Sequence, residues 1–154
     1  MNIVNISEPT WQRDDDEPEG YGGAYLKVGE LVGAKRTGIS VYELAPGQSI
    51  CPYHYECAEE EWLLVLHGCP TLRHPDGESQ LAPSDVVFFP VGPAGAHKVT
   101  NATDDPVRVL MFSDVVTPAA TVYPDSDKVG IWPGTGTDKL IVRRSSGVGY
   151  WDGE

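Results

Sequence analysis

From Ala24 onward, apolar and polar residues fall into short blocks separated by turn residues, a pattern that predicts strands. Residues 25–28 and 38–44 are β-rich runs, the second closed by Ala45-Pro46-Gly47. Residues 61–67, EWLLVLH, are apolar enough to be covered on both faces, and Gly68 breaks the run. Residues 71–74, the turn Pro75-Asp76-Gly77 and a return through Leu81 read as a hairpin. A short apolar run at 86–89 is closed by Pro90, and the loop 91–96 leads into His97-Lys98-Val99. The last strong strand is VRVLMF at 107–112. Strands at this even spacing describe an all-β domain, a closed barrel or double-sheet jelly roll, with negligible helix.

The flanks differ from this core. Residues 1–23 hold the acidic run Asp14-Asp15-Asp16-Glu17, then Pro18 and Gly20-Tyr21-Gly22-Gly23, and are expected to form an arm. Within it Ile3, Val4 and Ile6 could add an edge strand, and Trp11 needs a packing partner. Residues 24–116 form the expected barrel. Residues 117–154, with Tyr123-Pro124-Asp125, Trp132-Pro133-Gly134 and the apolar run Leu140-Ile141-Val142, are too few to bury a core alone. They are expected to wrap over the barrel or to meet another subunit.

Charge narrows the range of partners. With 11 Lys and Arg against 23 Asp and Glu, the chain carries a net charge of −12 and no basic cluster, which disfavours nucleic-acid and membrane-surface roles. An apolar share of 40% suffices to fill a core, and 17 Gly with 13 Pro fit many turns between short strands. Cys51, Cys57 and Cys69 cannot all pair internally, and no apolar signal segment precedes them, so a reducing cytoplasm is expected. No apolar run approaches the ~18 residues of a membrane span.

The candidate chemistry lies between Gly47 and Gly68 and at His97. On a strand, His54 and Glu56 share a face. Glu61 opens the next apolar strand, and His97 follows a proline-glycine turn. Two imidazoles and two carboxylates gathered from neighbouring strands offer mixed nitrogen and oxygen ligands to a divalent transition ion.

These segments resemble the two motifs of a single-domain cupin. The first motif is G, five residues, H-x-H, three or four residues, E, six residues, G; the second is G, five residues, P-x-G, two residues, H, three residues, N. Here six residues separate Gly47 from His54, His54-Tyr55-Glu56 stands for H-x-H, four residues precede Glu61, and six follow it to Gly68. In the second motif Ser84 replaces the opening glycine, five residues lead to Pro90-Val91-Gly92, four intervene before His97, and three separate it from Asn101. The resemblance spans about residues 38–113 and implies a double-stranded β-helix, the cupin jelly-roll barrel. Residues 122–125 and the Gly- and Trp-rich tail further resemble small cupins that carry a sugar-phosphate isomerase label.

The resemblance implies metal ligands at His54, Glu61 and His97, with Glu56 where a second histidine is usual. Two carboxylates would cancel the charge of a divalent ion and lower its Lewis acidity, favouring manganese or iron(II), with zinc or nickel as alternatives. Alternatively Glu56 marks a decayed site. Without a cation, Glu56 and Glu61 facing one cavity would repel unless protonated or solvated. His67 shares strand parity with Glu61 and could point inward as a catalytic proton-transfer group, or be a solvated strand-end imidazole. Glu60 is a minor alternative ligand. Cys51, His54 and Cys57 do not suit a zinc site, because in an extended segment 54 faces away from 51 and 57. Tyr42, Arg73 and Phe112 could line the cavity.

Two functions follow from this reading. One is a metal-dependent enzyme acting on a small polar metabolite in the barrel by isomerisation or dioxygenase-like chemistry. The other is a non-catalytic cupin that binds a small molecule over a degenerate metal site. A homodimer is expected, because the arm around Trp11 and the tail around Trp132 and Trp151 carry more aromatic surface than mobile termini should expose.

Overall fold

The computed structural model describes residues 1–14, 16–134 and 138–154. In chain order the strands are β1 (Ala24–Leu26), β2 (Thr37–Leu44), β3 (Tyr55–Glu56), β4 (Glu61–His67), β5 (Thr71–His74) and β6 (Gly77–Gln80). They continue with β7 (Val86–Phe89), β8 (Lys98–Thr100), β9 (Val107–Asp114), β10 (Ala119–Tyr123), β11 (Lys128–Trp132) and β12 (Leu140–Arg143). One short helix, α1 (Val28–Val32), lies between β1 and β2. All strand pairings are antiparallel.

The strands form a five-stranded sheet ordered β1-β2-β9-β4-β7, a three-stranded sheet β6-β5-β8, and a four-stranded sheet β12-β11-β10-β3. Alternation along β4 decides which side chains enter the barrel. Leu63 and Val65 are buried, and Trp62 points outward. Leu63 and Val65 join Leu44, Leu72, Leu81, Phe89, Val99, Val107 and Val109 in one apolar cluster between the first two sheets. A fully buried aliphatic side chain of this kind contributes about 1.5–3 kcal/mol, so this cluster is the principal stabilising unit.

One expected strand is shortened and another is not formed. Val28 begins α1 and does not extend β1, because Gly29 lies against β2, where a Cβ would stand 3.2 Å from the Ile39 amide nitrogen. Residues 3–6 form no strand, and Ile3 is exposed. The arm is fastened further along: Gln12 exchanges backbone hydrogen bonds with Tyr25, and Trp11 meets the Arg108 guanidinium 5.1 Å from its ring centroid.

The tail is a sheet in its own right. β10, β11 and β12 form a meander whose first strand pairs with β3, Thr121 opposite Glu56 and Val122 opposite Tyr55. The segment that follows the barrel therefore supplies the edge partner of the strand that carries Glu56.

Candidate metal centre

His54 and His97 sit directly opposite each other across an isolated antiparallel bridge. The His54 amide donates to the His97 carbonyl at 3.1 Å, and the reverse bond is 2.8 Å. Directly opposed residues project to the same face, so the backbone alone brings the two rings together, with centroids 4.6 Å apart. Gly95 allows the approach to His97, since a Cβ there would collide with the Pro90 carbonyl. The loop that is longer than the cupin motif is used for this, as Pro93–Gly95 form a single 3-10 turn ahead of His97.

Each imidazole places its Nδ1 on the carbonyl two residues earlier, His54 on Pro52 at 3.0 Å and His97 on Gly95 at 2.9 Å. A carbonyl can only accept, so both Nδ1 atoms carry the proton and both Nε2 atoms present lone pairs. Both Nε2 lone pairs face Glu61 Oε2, at 3.8 Å from His54 and 3.7 Å from His97. The donor atoms of His54, Glu61 and His97 all lie within 4.8 Å of one another. Glu56 Oε1 is 3.7 Å from His54 Nε2, while both Glu56 oxygens lie in hydrogen-bonding range of Thr121 Oγ1, at 2.9 and 2.8 Å.

The titration of these groups follows from burial. Desolvation, then the neighbouring His54, lowers His97 to about 4, and desolvation lowers His54 as well. Desolvation, then Glu56 and Glu59, raises Glu61 to about 8, and desolvation raises Glu56 to about 7 against the opposing hydrogen bond from Thr121. At neutral pH the imidazoles are thus uncharged, and their contacts with Glu61 are too long for hydrogen bonds and are not ion pairs. Glu61, raised to about 8, holds its proton at neutral pH unless a cation takes the proton's place. A donor set of two neutral imidazoles and a carboxylate, with both nitrogens oriented by backbone carbonyls, fits a divalent transition ion.

Two cavities adjoin the cluster. One, of about 300 Å³, is lined by His54, Glu61, His97, Tyr42 and Met111, with Asp14 and Glu17 of the arm and Lys27 among its other residues. The second, of about 410 Å³, lies on the Glu56 side and is lined by Thr121, Tyr123 and Trp132 from the tail sheet. Cys51 borders both, and burial pushes its thiol up to about 12, so it is a thiol and not a nucleophilic thiolate.

Other sequence expectations are sorted by the same geometry. His67 does not reach the cluster: a bulge between Val65 and His67 shifts the β4–β9 register, reverses the parity of the strand end and leaves His67 exposed beside Arg108. Glu60 is exposed, and its amide is tied to Asp114. Tyr42 lines the first cavity, but Arg73 turns away to pair with Asp125, and Phe112 lies opposite Trp62, on the outward face of the sheet. Cys51, Cys57 and Cys69 are all free. Thr121, Tyr123 and Trp132 were not foreseen as site residues, since the ATVY alternation of β10 resembles that of any half-buried strand.

The antiparallel sheets form a jelly-roll barrel that gathers His54, Glu61 and His97 into a candidate metal site beside the first cavity. Residues 40–113 match the Cupin domain family, and the protein carries a cupin domain. Among solved structures, it is similar to a protein named "Putative sugar phosphate isomerase" from Acidithiobacillus ferrooxidans, with 23% identity, a TM-score of 0.85, and coverage of 96% of this chain and 95% of the other. It is also similar to a cupin-superfamily sugar phosphate isomerase from Silicibacter pomeroyi (22% identity, TM-score 0.82, 98% of each chain). The polyketide cyclase RemF from Streptomyces resistomycificus shares less of the architecture (22% identity, TM-score 0.62, 77% of this chain and 83% of the other). At these identities the likeness establishes the fold. No curated protein matches the sequence.

Proposed function

We propose that the protein is a metal-dependent cupin enzyme that isomerises a small polar metabolite in the first cavity. The observation that carries this reading is the convergence of two Nε2 lone pairs and the Glu61 carboxylate within 4.8 Å at the wall of a cavity of about 300 Å³. His54, Glu61 and His97 hold the ion, manganese or iron(II) by preference, with Glu56 as the fourth ligand. When bound, such an ion supplies Lewis acidity toward a substrate oxygen. Tyr42 faces the same cavity, and burial keeps its hydroxyl protonated, so it can donate a hydrogen bond to that oxygen. The names of the two structural relatives aligned over nearly the whole chain support isomerisation over dioxygenase-like chemistry.

We also take the chain to act as a homodimer in a reducing cytoplasm. Three free thiols support the compartment, and among the described residues no helix is long and apolar enough to cross a membrane. Trp11 and Trp132 are engaged within the chain while Trp151 of the tail stays 77% exposed, and we assign the contact with a second copy to the outer face of β4 and β7, where Trp62 and Phe88 are each 40% exposed. That face is uncharged in a chain of net charge −12, which makes it the side on which two like-charged copies can meet.

Metal content tests the enzyme reading. After incubation with manganese or iron(II) and removal of free ion, one equivalent per chain is expected, and none in His97→Ala. A stoichiometry near zero in the wild type would leave the small-molecule-binding module as the function.

A further inference from the structure

We propose that Thr121 and Trp132, both from the tail sheet, are positioning residues of the metal centre that act through Glu56; this rests on the metal-binding reading above. Thr121 stands directly opposite Glu56 across the β10–β3 pair and is 3% exposed, so water does not compete for its hydroxyl. The Trp132 indole N–H donates to Thr121 Oγ1 at 3.0 Å. An indole nitrogen can only donate, so the Thr121 oxygen accepts from it and its single proton is directed to the carboxylate of Glu56, 2.8–2.9 Å away.

The arrangement depends on Gly130. A Cβ at that position would stand 3.1 Å from the Trp132 ring, so the missing side chain provides the space in which the indole lies back toward Thr121. Three adjacent strands thus deliver one hydrogen-bond chain, Trp132 to Thr121 to Glu56, that ends 3.7 Å from His54 Nε2. A free glutamate samples many rotamers. One already held at the edge of the ligand cluster loses less freedom on metal binding, and outer hydrogen-bond partners of this kind typically contribute about 10–100-fold to affinity.

The test uses the full chain and Co²⁺, whose visible absorption reports the ligand set. Thr121→Val is expected to weaken Co²⁺ binding about tenfold and to change the absorption of the bound ion, and Thr121→Ser to restore both. Trp132→Phe is expected to cause a smaller loss in the same direction. In a Glu56→Gln background neither substitution should weaken binding further, because the chain then has no carboxylate to orient. Wild-type affinity and spectrum in a folded Thr121→Val protein, or an equal loss in the Glu56→Gln background, would overturn the proposal. Should Thr121→Val fail to fold, the same comparison with Trp132→Phe decides. Absence of Co²⁺ binding in the wild type, or its persistence in His97→Ala, would instead remove the metal reading itself and this proposal with it.

Discussion

His97 Nε2 faces Glu61 Oε2 at 3.7 Å, a neutral imidazole set against a carboxyl group that burial holds toward its protonated form. Burial of these groups, more than their opposition, makes the stability of the metal-free protein depend on pH. Glu61 and Glu56 titrate at about 8 and about 7 in the fold against an ordinary value of 4.5, so between these limits the folded state holds more protons than the unfolded chain. Their contribution is complete below 4.5 and is lost as pH rises through 7 and 8. His97, lowered to about 4 from 6.5, acts with the opposite sign, its contribution growing from about pH 4 and complete above 6.5. Between pH 6.5 and 8 only the carboxylate effect remains. The melting temperature of the metal-free protein should fall across that interval, and saturating manganese should remove the decline. A flat or rising profile without metal would contradict this account.

Glu56 decides the character of the centre. Glu56→Gln nearly keeps shape while removing a charge, so affinity for manganese should drop about tenfold or more. Glu56→His should move preference toward zinc or nickel. Competition among these ions, read by elemental analysis of the recovered protein, checks both outcomes.

Asn101, the last residue of the second cupin motif, has a structural task. It is fully buried, donates to the Leu44 and Asp105 carbonyls at 2.9 and 2.8 Å, and accepts from the Thr103 amide and hydroxyl. Asn101→Ala strands these partners in a buried turn and should cost about 2–3 kcal/mol in denaturant unfolding, with metal stoichiometry unchanged.

Ser84 occupies the position where the same motif has glycine, yet its backbone keeps φ at +76°. A left-handed conformation costs a non-glycine residue about 1–2 kcal/mol, partly offset by the greater chain entropy of glycine. Ser84→Gly should therefore stabilise the protein by about 0.5–1 kcal/mol, visible as a higher unfolding midpoint. A lower midpoint would show that the serine is locally favoured.

Trp62 and Phe88 meet outside the barrel with centroids 4.6 Å apart and ring planes tilted by 39°. Sedimentation at micromolar concentration should give twice the mass of one chain, and Trp62→Glu should yield a folded monomer. A wild-type monomer would rule out pairing through this face.

The legible parts of the molecule were those whose signal is local. Alternation and turn residues mark β4, the β5–β6 hairpin and β7 closely, and motif spacing points to His54, Glu61 and His97, which the His54–His97 bridge and the start of β4 bring together. Of the two readings of His67, parity alone favours the inward one, whereas the bulge that arises from pairing with β9 and leaves no mark in EWLLVLH gives the exposed strand-end imidazole. The helix α1 was hidden because its five residues VGELV have weak helical propensity and are held by packing on β2. Thr121 and Trp132 were invisible for a third reason. Their importance lies in a contact with Glu56 across 65 and, through Thr121, 76 positions of chain, which no local pattern encodes.

The pairing of β10 with β3 means that the segment recognisable by its motifs and the segment that makes a working centre differ in size. A fragment cut to residues 40–113 would keep every motif ligand but leave β3 with an open edge and Glu56 without its donor. Domain-swapping or grafting experiments that treat the motif region as a portable module would transplant the ligands without the brace that aims one of them.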